Sequence, residues 1–105
     1  MKEHLTVTSR QEALNERALY NAILTLESTD ELRAFFRDLC TPAEIQAMSD
    51  RWAVVAMLGE GLPYRRIQRE TGVSVTTIGR VAKFLQSGNG GYAMADARLA
   101  GNRRR

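Results

Sequence analysis

The side chains best suited to recognition chemistry in this chain lie between positions 65 and 83. Seven of them are polar: Arg65, Arg66, Arg69, Thr76, Thr77, Arg80 and Lys83. Arginine and lysine neutralise phosphates, and threonine hydroxyls donate to or accept from base edges while threonine methyl groups pack on thymine methyl groups. The apolar residues of the same stretch have the spacing of inward positions: Ile67, Val73, Ile78 and Val81. The two sets together indicate a surface that binds nucleic acid above a small core.

Two short crossing helices would position these side chains, and we predict them over residues 63–71 and 75–86. Gly72 lies between them, where a sharp turn needs a residue that tolerates positive φ. Ser74 can cap the second helix by accepting a hydrogen bond from a free backbone N–H. This arrangement is a helix-turn-helix motif.

The amino-terminal end of the second helix is the part that enters the major groove in this motif. Val75, Thr76 and Thr77 open that helix, and Gly79 leaves its face low enough for backbone or water to approach the bases. We expect base contacts from this end and phosphate contacts from the basic side chains. The complete set of candidate DNA contacts is Tyr64, Arg65, Arg66, Gln68, Arg69, Ser74, Val75, Thr76, Thr77, Gly79, Arg80 and Lys83.

The distribution of charge agrees with this interpretation. The chain of 105 residues has a net charge of +3, but residues 1–61 carry −4, residues 62–85 carry +4 and residues 86–105 carry +3. A basic end on an acidic body concentrates positive potential where the motif lies, as a nucleic-acid surface requires. The length is that of one domain with a modest core, which favours further burial through oligomerisation.

Enzymatic, metal-binding and membrane classes are not indicated. His4 and Cys40 are the single histidine and cysteine, so the chain offers no internal disulfide, no metal-ligand spacing and no histidine–carboxylate pair for catalysis. We predict that Cys40 is a buried, inert thiol. No apolar run approaches the ~20 residues of a membrane span, and no signal-type core follows the first residues. The sequence therefore predicts that the protein is cytoplasmic, that it is not an enzyme and that it has no cofactor.

Every other periodic segment is helical, which predicts an all-α domain. Four helices are predicted besides the motif, at residues 9–27, 30–39, 42–58 and 92–99. Ser9 opens a capping box for the first of them, and Thr41-Pro42 marks the start of the third. The predicted organisation is a flexible N-terminus, a single helical domain containing the motif, and a basic tail that ends in three arginines: residues 1–8, 9–99 with the motif at 63–86, and 100–105.

The first helix is apolar around much of its circumference. Its broad face is extended by Tyr20 and Leu24 and consists of Leu14, Ala18, Leu19, Ala22, Ile23 and Leu26. A helix apolar on so many sides must bury more than one of them, so we expect a partner chain. Trp52, in the middle of the third helix, is predicted to lie in the core or in a dimer interface.

The order and spacing of several segments resembles the Trp repressor family, and within it the YerC/YecD branch of Trp repressor-related proteins. These segments are residues 36–45, Arg51, Glu60-Gly61, Tyr64, 70–73, 76–81 and 85–92. The resemblance covers roughly residues 12–99 and implies an intertwined homodimer, in which the N-terminal helices of one chain pack on the other. It also implies two reading heads on successive major grooves of a palindromic operator. Base contacts in the Trp repressor are largely water-mediated, and the small residues that open this reading helix suit the same arrangement.

The resemblance further implies a candidate effector pocket at Thr41, Arg51 and Arg80. The family's best-known member binds tryptophan there, with the two arginines on the indole and the carboxylate. The glycine that follows the second arginine in that family is Val81 here, and the serine that contacts the amine is Phe84. Both replacements put bulk where the amino acid lies, and Phe84 removes a polar partner that a buried ammonium needs. We therefore expect no tryptophan binding, whereas the sequence leaves open whether another small molecule binds.

On the sequence, the favoured function is a dimeric, sequence-specific transcription regulator, a repressor that acts by occupying its operator. Two alternatives remain open, a structural DNA-binding protein with little sequence preference and a protein-interaction module. The two pocket arginines also have simpler interpretations, in which Arg80 contacts phosphate and Arg51 forms a salt bridge with Asp38, Glu44 or Asp50.

Overall fold

The computed structural model describes residues 8–103, with side chains for residues 8–102. The chain divides into two compact units, residues 1–41 and 42–105. Regular structure in the described range is entirely α-helical, which confirms the predicted all-α class. The helices are α1 (Ser9–Leu24), α2 (Thr29–Leu39), α3 (Pro42–Gly59), α4 (Tyr64–Thr71), α5 (Val75–Ser87) and α6 (Gly91–Arg103). None of these helices is long and apolar enough to cross a membrane.

Capping hydrogen bonds fix the ends of α1. Thr8, and not Ser9, is the N-cap: its hydroxyl oxygen accepts from the Gln11 backbone N–H at 3.1 Å. The predicted capping box at Ser9 is therefore wrong by one residue. The helix also ends three residues earlier than predicted, because the Thr25 hydroxyl donates to the Ala22 carbonyl at 2.7 Å and takes up a carbonyl of the last turn.

Both ends of α2 agree closely with the prediction. The Ser28 side chain accepts from the Glu31 N–H at 3.1 Å, and the Glu31 carboxylate accepts from the Glu27 N–H at 2.8 Å. These reciprocal bonds satisfy two free donors at the start of the helix. Cys40 ends the helix by donating its N–H to the Phe36 carbonyl at 2.8 Å. The Cys40 side chain is only partly buried, so the prediction of a buried thiol is wrong.

The described part of the first unit leaves its apolar side chains accessible. Neither α1 nor α2 contains a buried residue. Large apolar side chains are instead exposed on both helices, and Leu24 is exposed to 79%. A helix pair with these faces has more apolar surface than it covers by itself.

The second unit holds a compact core formed by α3, α4 and α5. Its fully or nearly buried residues are Val54, Val55, Ile67, Val73, Ile78 and Val81. The four inward positions predicted for the helix-turn-helix are thus all buried. Trp52 packs against this core, and the centroid of its ring lies 6.3 Å from that of the Tyr92 ring. The core position of Trp52 agrees with the first of its two predicted environments.

The turn between α4 and α5 is built as the sequence indicates. Gly72 has a φ of 74°, a left-handed conformation that a side chain disfavours. Its N–H donates to the Gln68 carbonyl at 2.9 Å. The Thr71 hydroxyl also stabilises the turn, because it donates to the Ile67 carbonyl at 2.7 Å and accepts from the Val73 N–H at 3.1 Å. These bonds fix the direction in which the chain enters α5.

The last helix is longer than predicted. It begins one residue before Tyr92 and continues through Gly101 and Asn102 to Arg103, so this part of the basic tail is helical. Arg104 and Arg105 lie outside the described residues. Where α6 meets the end of α3, the Asp96 carboxylate comes so close to Gly59 that a Cβ at Gly59 would lie 2.7 Å from Oδ2.

Candidate nucleic-acid interface

The amino-terminal end of α5 is presented to solvent. Val75 is exposed to 48% and Thr76 is exposed, while Thr77 is half-buried. A Cβ at Gly79 would meet no heavy atom within 4 Å. Because positions three residues apart share a helix face, Thr76 and Gly79 form one low, polar surface. Ile78, between them, points into the core and is fully buried.

Ser74 fixes the start of α5, the helix predicted to enter the major groove and called the reading helix below. Its hydroxyl oxygen accepts from the Thr77 N–H at 3.2 Å, which confirms the predicted cap. The same hydroxyl donates to Thr77 Oγ1 at 3.1 Å. The Thr77 hydroxyl oxygen therefore already accepts one hydrogen bond, from Ser74. Thr76 has the more accessible hydroxyl of the two. The sequence did not distinguish between them.

Helix α4 carries the arginines of the candidate surface, and they are not equivalent. Arg65 and Arg69 are exposed. Arg66 is also half-exposed, but its Nε donates to Glu70 Oε2 at 2.6 Å in an ion pair within the helix. This hydrogen bond and the nearby charge of Glu70 raise the pKa of Arg66 above its ordinary value. Arg66 was predicted to contact phosphate, and Glu70 was not predicted as its partner, although a spacing of four residues favours such a pair.

The other candidate contacts lie at the edges of this surface. On α4, Tyr64 is exposed to 41% and Gln68 is exposed. On α5, Lys83 is exposed, and the guanidinium of Arg80 lies over the Phe84 ring at 5.9 Å from its centroid. A cation–π contact of this kind contributes about 0.5–1 kcal/mol at an exposed site.

A cavity of about 650 Å³ opens beside the reading helix, within the second unit. Its lining consists of Arg51, Thr77, Arg80, Val81, Phe84, Asn89, Gly91 and Tyr92. The two arginines of the candidate effector pocket therefore share one cavity, whereas Thr41 belongs to the other unit and does not line it. Val81 and Phe84, the residues expected to obstruct tryptophan, also line the cavity.

Electrostatically the cavity suits an anion. Two arginines line it and no acidic residue does. Asp50, which the sequence offered as a salt-bridge partner of Arg51, accepts a hydrogen bond from Gln46 Nε2 at 2.9 Å. Across residues 8–103 there is no cluster of three or more histidine, cysteine or acidic side chains that could hold a metal ion.

An exposed, capped reading helix that follows a left-handed glycine turn, with arginines on the preceding helix, defines a helix-turn-helix protein. Comparison with family models places residues 15–100 in the Trp repressor protein family, and the chain belongs to that family. The family is one of DNA-binding regulators and not of enzymes.

Individual relatives agree with this assignment. The chain is 48% identical over 77 residues to the uncharacterized protein YerC of Bacillus subtilis (strain 168), a match that spans 73% of this chain and 74% of that protein. A TrpR-like protein from Eubacterium eligens ATCC 27750 superposes with a TM-score of 0.77 at 39% identity, covering 93% of this chain and 96% of the other. A putative Trp repressor from Staphylococcus aureus gives a TM-score of 0.76 at 41% identity, covering 95% and 96%.

Proposed function

We propose that the protein is a sequence-specific transcription regulator that reads a palindromic operator as a homodimer and represses by occupying it. The observation that carries this proposal is the amino-terminal end of α5. This end presents exposed Val75 and Thr76 and an open face at Gly79. The other side of the helix packs into the core through Ile78 and Val81. A rigid helix with small side chains at its tip can enter a major groove without rearrangement.

Phosphate contacts from both helices would hold the reading helix in register. Arg65, Arg69 and Lys83 are exposed around it, and residues 62–85 carry a net charge of +4. Contacts of this type supply affinity for any sequence and fix the orientation of the protein on the duplex. The small side chains at the tip leave room for water between protein and bases, so discrimination within one half-site would be modest. Pairing of two half-sites would then supply the rest of the specificity.

The exposed faces of the first unit support the homodimer. Leu14 and Leu39 are each exposed to 50% and Leu24 to 79%, and no residue of α1 or α2 is buried. A second copy of the chain would cover these side chains and remove their apolar surface from water. It would also supply the second reading head that a palindromic site requires.

Light scattering after size-exclusion chromatography tests the dimer. The wild-type mass should be close to twice 11.8 kDa. We expect Leu24→Asp to shift this mass toward that of a monomer, because a carboxylate would then be buried in the interface. Val75→Asp places the same charge on an exposed apolar position of the reading helix and should remain dimeric. A wild-type monomer would contradict the proposed assembly.

The cavity beside α5 is the candidate site for a small-molecule effector. Arg51 and Arg80 would bind an anionic group, and Thr77 joins the cavity to the cap of the reading helix. The aromatic lining by Phe84 and Tyr92 leaves no carboxylate to receive an ammonium group, so we propose that tryptophan is not the ligand.

Selection of bound sites from random duplex DNA by the purified protein tests the proposed function. Enrichment of a palindrome with half-sites about one helical turn apart would support it. Binding to the selected and random duplexes should then be compared over a range of salt concentrations. A ratio of affinities near one would favour a DNA-coating protein, and an absence of binding at low salt would favour a protein-interaction module. Either result would contradict the proposal.

A further inference from the structure

Glu70 is the single acidic residue among residues 62–85. Its carboxylate oxygen lies 2.6 Å from Arg66 Nε, and the two side chains are 40% and 51% exposed. The pair thus lies at the solvent surface of α4, beside the exposed arginines at positions 65 and 69. An anion at this place opposes the phosphates that the surrounding side chains are suited to bind.

Stabilisation of α4 is a poor explanation for this pair. Arg66 lies in the first turn of α4 and Glu70 in its last turn, so both charges are at the end of the helix where the macrodipole disfavours them. The order of the pair, with the cation four residues before the anion, is also the weaker of the two possible orders in a helix. An exposed pair in this arrangement contributes little to folding.

We propose that Glu70 is a competing anion built into the DNA-binding surface. Its carboxylate holds and neutralises the Arg66 guanidinium, which is then not available to pair with a DNA phosphate. Glu70 therefore lowers the affinity for DNA of any sequence and reduces by about one the number of phosphates that the protein neutralises. The proposal rests on the proposed function, since it concerns the same surface.

The sequence-independence of this effect separates it from base recognition. Acidic side chains can accept a hydrogen bond from cytosine and so select a base. The Glu70 carboxylate lies on Arg66, in the helix that precedes the reading helix, and it is occupied by a donor of its own chain. Its removal should therefore strengthen binding to all duplexes equally.

The test compares Glu70→Gln with Glu60→Gln in the full-length protein. Both variants raise the net charge by one. Glu60 is exposed and acts on Arg66 only through its charge, without a hydrogen bond to it. Fluorescence anisotropy would measure the affinity of each variant for a selected-site duplex and a random duplex over about 50–200 mM salt. Unfolding in urea would measure the stability of each variant.

We expect Glu70→Gln to bind both duplexes about threefold more tightly than the wild type at low salt, the size of effect typical of an exposed ion pair. The slope of log affinity against log salt should become steeper by about 0.9, the contribution of one additional phosphate. Glu60→Gln should leave the slope unchanged. In an Arg66→Gln background the gain from Glu70→Gln should shrink, because no guanidinium is then released.

Three results would overturn the inference. Glu70→Gln could behave like Glu60→Gln, it could strengthen binding to one duplex alone, or it could weaken binding together with a lower unfolding midpoint, as a structural role requires. These results concern Glu70 alone if the wild type binds the selected site. A wild type that binds no DNA would remove the proposed function and this inference together.

Discussion

Replacing Gly79 with alanine should separate the stability of the fold from the binding of DNA. Gly79 lies inside α5, its φ is not positive, and an added Cβ would meet no heavy atom within 4 Å. Glycine in a helix interior is less favourable than alanine by roughly 0.5–1 kcal/mol. We therefore expect Gly79→Ala to raise the free energy of unfolding by about that amount. In a chain of this size the melting temperature would rise by about 2–8 °C.

Binding should change in the opposite direction. The new methyl group would project from the face that Gly79 shares with Thr76, where the proposed complex brings backbone or water against the bases. A methyl group that displaces such water cannot replace its hydrogen bonds. We expect the affinity for the selected site to fall about tenfold, which corresponds to about 1.4 kcal/mol.

The two quantities can be measured on the same preparation, by urea unfolding and by fluorescence anisotropy with the selected duplex. Gly101→Ala is the matched control, because Gly101 also lies in a helix and an added Cβ there meets nothing within 4 Å. This control should be at least as stable as the wild type and should bind DNA normally. A Gly79→Ala variant that is stabilised and binds as tightly as the wild type would refute close approach at this face.

Three further predictions follow from the turn, the cap and the cavity. Gly72→Ala should destabilise the protein by about 1–2 kcal/mol in urea unfolding, because alanine is strained at a φ of 74°, and Gly72→Asn should recover part of the loss. Ser74→Ala should cost about 1 kcal/mol through loss of the N-cap. Ser74→Asp should keep the cap and yet weaken DNA binding by charge repulsion, and equal binding by the aspartate variant would place the cap away from phosphate. Calorimetric titration with L-tryptophan should detect no binding, since Val81 and Phe84 line the cavity, and a micromolar dissociation constant would contradict this expectation.

Features set by a few neighbouring residues were predictable from the sequence. Gly72 and Ser74 were assigned correctly because a left-handed turn and an N-cap depend on local backbone geometry and on one side chain each. The same local rules predicted a capping box at Ser9, although Thr8 before it is also of a residue type favoured at the N-cap. In the structure Thr8 is the N-cap of α1. Residues 100–105 were predicted to form a basic tail after the last helix, yet α6 continues through Gly101 to Arg103, since one glycine lowers the stability of a helix without ending it.

Features that depend on tertiary contacts were less accessible. The cavity joins Arg51 of α3 to residues of α5 and to Tyr92 of α6, and no spacing in the sequence shows that these side chains meet. The resemblance to a known family suggested the two arginines but not Tyr92. The Arg66–Glu70 pair is a different case, because the spacing of four residues predicts such a pair. Arg66 was assigned to phosphate, whereas in the structure its partner is the Glu70 carboxylate.

The neighbourhood of Trp52 gives the protein an internal optical reporter. It is the single tryptophan of the chain, it packs on the core, and its ring lies 6.3 Å from that of Tyr92, which lines the cavity. Indole emission depends on the polarity around the ring, so a molecule entering the cavity or a loosening of the core should change its wavelength or intensity. Candidate effectors can therefore be screened by intrinsic fluorescence on unlabelled protein, before any operator is known.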